Sequence, residues 1–225
     1  MKRPILIALA LIAMLGFVAL GIWQIERRAW KLDLIARVDA RVHAAPVAAR
    51  ADMNVKREEY RHVALSGVLL CDRETLVQAL TVRGAGYWVV TPMRTAQGVV
   101  LVNRGFVPGG KDGLASRHCA AARAETVTGL LRISEPGGGF LRSNDPAANR
   151  WYSRDVTAIA RAQSLGQVAP FFVDADATPP DARYPVGGLT VVHFNNNHLL
   201  YALTWFGLAG LCGFAAVLLL RRSAA

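Results

Sequence analysis

Both ends of the chain are apolar: Pro4 to Trp23 and Leu199 to Leu220 contain no charged side chain. A helix rises about 1.5 Å per residue, so roughly 20 apolar residues cross the hydrocarbon core of a bilayer. Both stretches meet that length, and lipid forces each to satisfy its backbone internally as a helix. Gln24 to Asn197 remains, enough for one domain with its own core. The expected architecture is an α+β membrane protein, with two transmembrane helices flanking a β-rich, mainly antiparallel extramembrane domain. Residues 1–23 form the N-terminal anchor, 24–198 the domain with an amphipathic leading helix, and 199–225 the C-terminal helix and short basic tail. Lys2-Arg3 before an apolar run also suits a signal peptide. The run is longer than the usual h-region of about 7–15 residues and no clean A-x-A site follows, which favours an uncleaved anchor.

The formal charge of +10 invites a nucleic-acid reading, which its distribution opposes. Lys2, Arg3, Arg221 and Arg222 flank the spans, and Arg27, Arg28 and Lys31 follow the first one. Basic residues there meet lipid headgroups and set orientation. The other arginines are scattered among acids without a basic run or a nucleic-acid motif. Orientation by charge is self-contradictory: Arg221-Arg222 favours a cytoplasmic C-terminus, but Arg27, Arg28, Lys31, Arg37 and Arg41 outnumber Lys2-Arg3 across the first span. Of the cysteines, Cys212 sits in the second span as a small packing residue, and Cys71 and Cys119 can pair in an oxidising compartment. Zinc-site spacings are absent.

Ile25, Leu32, Leu34, Ile35 and Val38 continue a helical period among charged residues, predicting an amphipathic extension over Gln24 to about Val42. His43 to Arg50 reads as a linker. Strand-like runs follow: Val63 to Leu70 and Thr75 to Arg83 around a hairpin at Cys71–Glu74, then Tyr87 to Met93 and Val99 to Asn103 around Arg94–Gly98, then Thr126 to Ile133. Such short connections favour antiparallel pairing, in a sheet that can close partly into a barrel. Glu135-Pro136-Gly137-Gly138-Gly139 reads as a breaker, Asp155 as the N-cap of a helix over Val156 to Leu165, and Phe171–Asp174 and Thr190–Phe194 as closing strands.

His198 stands where the second span begins. His198, Tyr201 and Trp205 fall at i, i+3 and i+7 on one helix face. One reading is an interfacial aromatic belt; the other is an imidazole offered to haem iron, with the aromatics walling a flat macrocycle. Trp23, Arg27 and Trp30 share a face of the first helix at matching depth if both outer ends lie on one side. Arg27, Arg28 or Lys31 can pair with haem propionates or snorkel to lipid phosphate. Asn197 is best placed to cap the second helix. Arg104, at the end of Leu101–Pro108, reads as structural, and Arg150–Asp155 as a cation–π cluster or helix-start packing. Asp174-Ala175-Asp176 lacks the glycines and further ligands of a calcium loop. His193 is a weak second-ligand candidate, and nucleophile elbows, P-loops, dinucleotide fingerprints and zincin motifs are absent.

In order, Trp23-Gln24, Arg27-Arg28, Lys31, Gly86-Tyr87, Thr91-Pro92, Leu101 to Pro108, Glu135-Pro136, Asn144-Asp145-Pro146, Trp151-Tyr152, Arg154-Asp155, Gly187-Gly188, Asn196-Asn197-His198-Leu199 and Tyr201 to Trp205 resemble the Surfeit locus protein 1 family, nearly end to end. The resemblance implies a non-enzymatic assembly factor for haem-copper cytochrome c oxidase in the bacterial inner membrane. It implies cytoplasmic termini, a periplasmic domain, and transient binding of haem a for subunit I, with a haem a synthase as a further candidate partner. It also makes His198 the iron ligand, and the helix spacing then sets Tyr201, Trp205, Trp23, Arg27 and Arg28 as the residues around the cofactor. Phe106 stands where the family usually has Trp, Leu189 and Leu200 where Gln is common, and Asn195 where Pro is frequent. The alternative is a cofactor-free scaffold gripping subunit I by helix packing, for which Ala209 and Gly213 form a small-xxx-small pair. A haem-modifying enzyme fits less well, since such enzymes use several intramembrane histidines.

Overall fold

The computed structural model describes residues 2–110, 113–114, 119, 124–179, 184–192 and 194–224, with backbone only at 2 and 222–224. They form two compact units, Met1–Arg37 with Val192–Ala225, and Val38–Val191.

The first unit is a helix pair. Helix α1 (Lys2–Val42) runs unbroken from the apolar stretch into the amphipathic extension. Its counterpart near the C-terminus, His198–Ala224, begins at the histidine itself. Both are long and apolar enough to cross a membrane, and only 6% and 11% of their apolar windows is buried within the chain. A core helix of a soluble protein hides such a surface; these two leave it bare.

Along α1 the covered positions include Ile7, Ala10, Met14, Phe17, Gly21, Gln24, Arg28 and Lys31, a 3.5-residue repeat flanked by Ala13 and Val18. On the C-terminal helix they include His198, Ala202, Trp205, Ala209, Cys212, Ala216 and Leu219, the same repeat, flanked by Leu208 and Gly213. The two seams meet antiparallel: Gln24 meets His198, Phe17 stacks on Trp205, and Met14 faces Gly213. Small residues allow this close approach, since a Cβ on Gly21 would strike the Phe206 ring, and Ala202, Ala209 and Ala216 are all buried.

The second unit is a barrel. Its strands are β1 (Val47–Ala48), β2 (His62–Leu69), β3 (Thr75–Thr81), β4 (Gly84–Thr95), β5 (Gly98–Pro108), β6 (Ala124–Ile133), β7 (Gly138–Gly139), β8 (Arg142–Ser143) and β9 (Val168–Ala175), with short helices α2 (Val55–Glu58) and α3 (Val156–Ala162). The C-terminal helix is therefore α4. Pairing runs β2-β6-β9-β5-β4, and Met93–Thr95 of β4 returns to Gly67–Leu69 of β2, closing the ring. Side-chain alternation splits the core in two. Val100, Val102, Phe171 and Val173 point into one cluster with Val63, Leu65, Met93 and Leu131. Leu101 and Phe172 between them face the other side, where Val77, Trp151, Val156 and Ile159 cover them. Asp155 caps α3, accepting from the Ala158 N–H at 3.0 Å. Phe106 is fully buried, edge-on to Trp88 at 6.1 Å.

Several expectations need correction. The sheet is mainly antiparallel but not wholly so, because β1 lies parallel to β2 and β9 parallel to β5. No hairpin forms across Cys71–Glu74: β2 pairs with β6 and β4, and β3 pairs with β4. A 3-10 turn starts at Cys71, whose disulfide to Cys119 holds that corner instead. The Gly137–Gly139 breaker contributes to a small hairpin of β7 and β8. The linker carries β1. Thr190–Val192 and Phe194 lie outside any strand, because β9 already has β5 and β6 on its two edges. His193 lies outside the described residues.

Candidate functional site

The polar end of the helix seam gathers the chemistry. The 3.5-residue stripe that buries Phe17 and Gly21 against α4 carries Gln24 into the same seam, where it is only 9% exposed. On α4 the first helical residue is His198; the Asn197 carbonyl accepts the Tyr201 N–H at 3.2 Å, so Asn197 sits at the cap position. The imidazole then reaches Gln24 across the seam, Nδ1 to Oε1, at 2.7 Å. An amide oxygen only accepts, so Nδ1 donates. In the neutral ring Nε2 is thereby left with its lone pair, the form that binds a metal.

Trp205 lies one heptad deeper, its ring 5.6 Å from Phe17 and nearly parallel to it at 21°. Its indole nitrogen is buried and has no hydrogen-bond partner, an uncommon state for a buried donor. Tyr201 turns away from the seam and is 55% exposed. Trp23 and Trp30 face outward, with Arg27 stacked 4.0 Å over Trp30 and exposed. Arg28 is half-buried on the seam, and the Lys31 amine lies 5.2 Å from the Phe194 ring. The structure thus joins His198, Trp205 and Arg28 to one seam, and leaves Tyr201, Trp23 and Arg27 on outer surfaces. Gln24 was missed by following the Trp23–Arg27–Trp30 face; its signal is that it is polar within a seven-residue repeat of Phe17, Gly21, Arg28 and Lys31.

The domain's buried ionisable residues pair with one another. Asp174 is 3% exposed and accepts from Asn103 at 2.7 Å, Arg154 at 2.9 Å, Arg132 at 3.1 Å and Thr190 at 2.8 Å. Arg154 also clasps Glu135 and lies 4.7 Å over Phe172. Burial opposes the charges of Arg154 and Glu135. The paired carboxylates outweigh it and hold the guanidinium pKa up, and Arg154 in turn holds the Glu135 carboxyl below its usual range. Arg104 pairs with Glu74 at 2.6 Å, although burial leaves its pKa below the ordinary value. Asp176 departs from Asp174 altogether and takes His62 at 2.8 Å. Among the described residues no cluster of histidine, cysteine or carboxylate side chains has the makings of a metal cage.

The family model described as SURF1 family matches residues 11–210. That range takes in the greater part of both seams, with Gln24 and His198. The chain belongs to the SURF1 family. Surfeit locus protein 1 of Homo sapiens is 38% identical over 210 residues, covering 84% of this chain and 69% of the human protein. The Mus musculus protein of the same name is 38% identical over 208 residues, covering 84% and 67%. A SURF1-like protein of Monosiga brevicollis is 36% identical over 212 residues, covering 85% and 78%.

Proposed function

We propose that this SURF1 family member is an inner-membrane assembly factor for haem-copper cytochrome c oxidase that binds haem a through His198 and passes it towards subunit I. The observation that carries the reading is the Gln24–His198 hydrogen bond, which engages Nδ1 and leaves Nε2 outside that contact at the mouth of an apolar helix pair. One imidazole with an outer-sphere acceptor suits haem iron. When bound, the porphyrin iron supplies the coordination bond, and the chain's work is to hold and release it. The fit has a limit. Side chains touch along the seam from Met14 and Gly213 to Gln24 and His198, so no porphyrin slots between the helices as they stand. The group would be taken on the exposed side of His198, with Arg28 or Arg27 available to its propionates.

The helices are placed in the bilayer with both termini in the cytoplasm and the barrel in the periplasm. The Cys71–Cys119 disulfide supports that orientation, since such bonds persist in oxidising compartments. We assign the chain no catalysis. The cofactor-free scaffold loses its motif, because Ala209 and Gly213 are already used to pack α4 against α1. The test is haem content after purification from cells making haem a. Wild type is expected to carry substoichiometric haem, and His198→Ala none; equal haem in both removes His198 from the reading.

A further inference from the structure

Two hairpin tips of the barrel unit carry exposed bulky apolar side chains. Two-residue hairpin loops favour Asn-Gly or Asp-Gly, polar and tolerant of positive φ. Between β7 and β8 the loop is Phe140-Leu141, 92% and 89% exposed. Leu141 has φ of 56°, a left-handed conformation unfavourable for an L-residue with a bulky side chain. Between β3 and β4 the loop is Val82-Arg83, with Val82 91% exposed and Leu80 beside it 86% exposed. Leu80 and Phe140 line one groove of about 690 Å³, floored by Tyr87 and Tyr152, so the two tips share a single rim.

Each tip also carries an exposed arginine, Arg83 or Arg142, and no acid occurs from Thr75 to Gln97 or from Pro136 to Asn144. Bulky apolar tips with basic shoulders and no carboxylates match an anionic bilayer surface: the tips enter the acyl boundary and the guanidinium groups meet phosphate. The unit is also tethered at both ends to helices long enough to cross a membrane. We propose that Val82 and Phe140-Leu141 insert into the lipid surface, docking the barrel on the membrane that its helices cross.

The inference rests on the helices being transmembrane, and one experiment separates the two. On a Cys212→Ala background with the disulfide intact, the full chain receives single cysteines at Val82, Phe140, Gln97 or Leu211. Each carries an environment-sensitive fluorophore, in nanodiscs of mixed phosphatidylcholine and phosphatidylglycerol with spin-labelled lipid. Gln97, exposed in the turn about 36 Å along β4 from Val82, is the water-facing control. Leu211, exposed on α4, is the lipid-facing control, and its quenching establishes the span independently. The expected result is quenching at positions 82 and 140 about threefold above that at 97, halved by R83E with R142E. Positions 82 and 140 no more quenched than 97, with 211 fully quenched, overturn the docking and leave the helices in place.

Discussion

Asp174 of the barrel accepts hydrogen bonds from Asn103, Arg132, Arg154 and Thr190, whereas on the helix seam Gln24 and His198 pair with each other and the Trp205 indole nitrogen has no acceptor. A buried charge with every lone pair occupied fixes a fold. A buried donor left open costs stability until a partner meets it, and open buried atoms such as Arg61 Nε occur in the barrel too. The barrel gathers four donors on one buried carboxylate, and the seam's polar contact is a single bond between two side chains.

The largest effect should come from breaking the barrel's network. Asp174→Ala strips the shared acceptor from Arg132 and Arg154 and is expected to cost about 3–5 kcal/mol, because two guanidinium groups remain buried with less to pair with. Denaturation followed by fluorescence of Trp88 and Trp151 reads this directly. His198→Ala, on the other unit, should shift the same transition by less than about 1 kcal/mol. Equal losses in the two variants would erase the contrast.

Next is the disulfide. Cys71 and Cys119 are separated by 48 residues, so opening the bond frees a long loop in the unfolded chain. Cys71→Ser with Cys119→Ser should lower the barrel's stability by about 2–4 kcal/mol. Haem content should follow only as far as the protein stays folded, which separates damage to the domain from damage to the seam.

On the seam the sharper probe is Gln24. Gln24→Leu removes the acceptor from Nδ1 without adding bulk and should reduce haem retention about tenfold, the usual range for losing an outer-sphere partner. Gln24→Glu keeps an acceptor and should retain binding. Pyridine haemochrome spectra on all three proteins decide it, and indistinguishable haem in the Leu variant would make the hydrogen bond a packing detail.

How much of this was legible follows the same division. The helices were plain from Pro4–Trp23 and Leu199–Leu220, because lipid imposes one solution on a long uncharged run. The β4–β5 hairpin was equally legible, since Arg94–Gly98 is a short polar turn between two apolar runs. Local signals misled where pairing was decided at long range. Val63–Leu70 and Thr75–Arg83 look like hairpin partners, but β2 finds β6 some sixty residues on, through pairs such as Ser66 with Thr126. The parallel β5–β9 pair is hidden for the same reason. At the site, His198 stood out as a histidine beside a span, but the residue that orients it lies 174 positions away and shows itself only through a seven-residue repeat.

The smallest expected effect is a pH dependence confined to the barrel. His62 bonds Asp176 through Nε2 at 2.8 Å and the Ala44 carbonyl through Nδ1 at 2.9 Å, joining β2 to the segment after β9 and to the one before β1. Two acceptors require both ring nitrogens to donate, which is the imidazolium. Burial works against that charge, but Asp176 and the Ala44 carbonyl outweigh it and raise the His62 pKa. A group whose folded pKa is raised binds its proton more tightly when folded, so its contribution is complete below the unfolded pKa of about 6.5 and fades as pH climbs through the folded value. The barrel's denaturation midpoint should therefore fall gently from pH 6 upward in wild type. His62→Gln, which can still donate to Asp176 but cannot titrate, should flatten that slope. A slope unchanged in the variant would assign the pH dependence elsewhere and leave the His62 contact as packing alone.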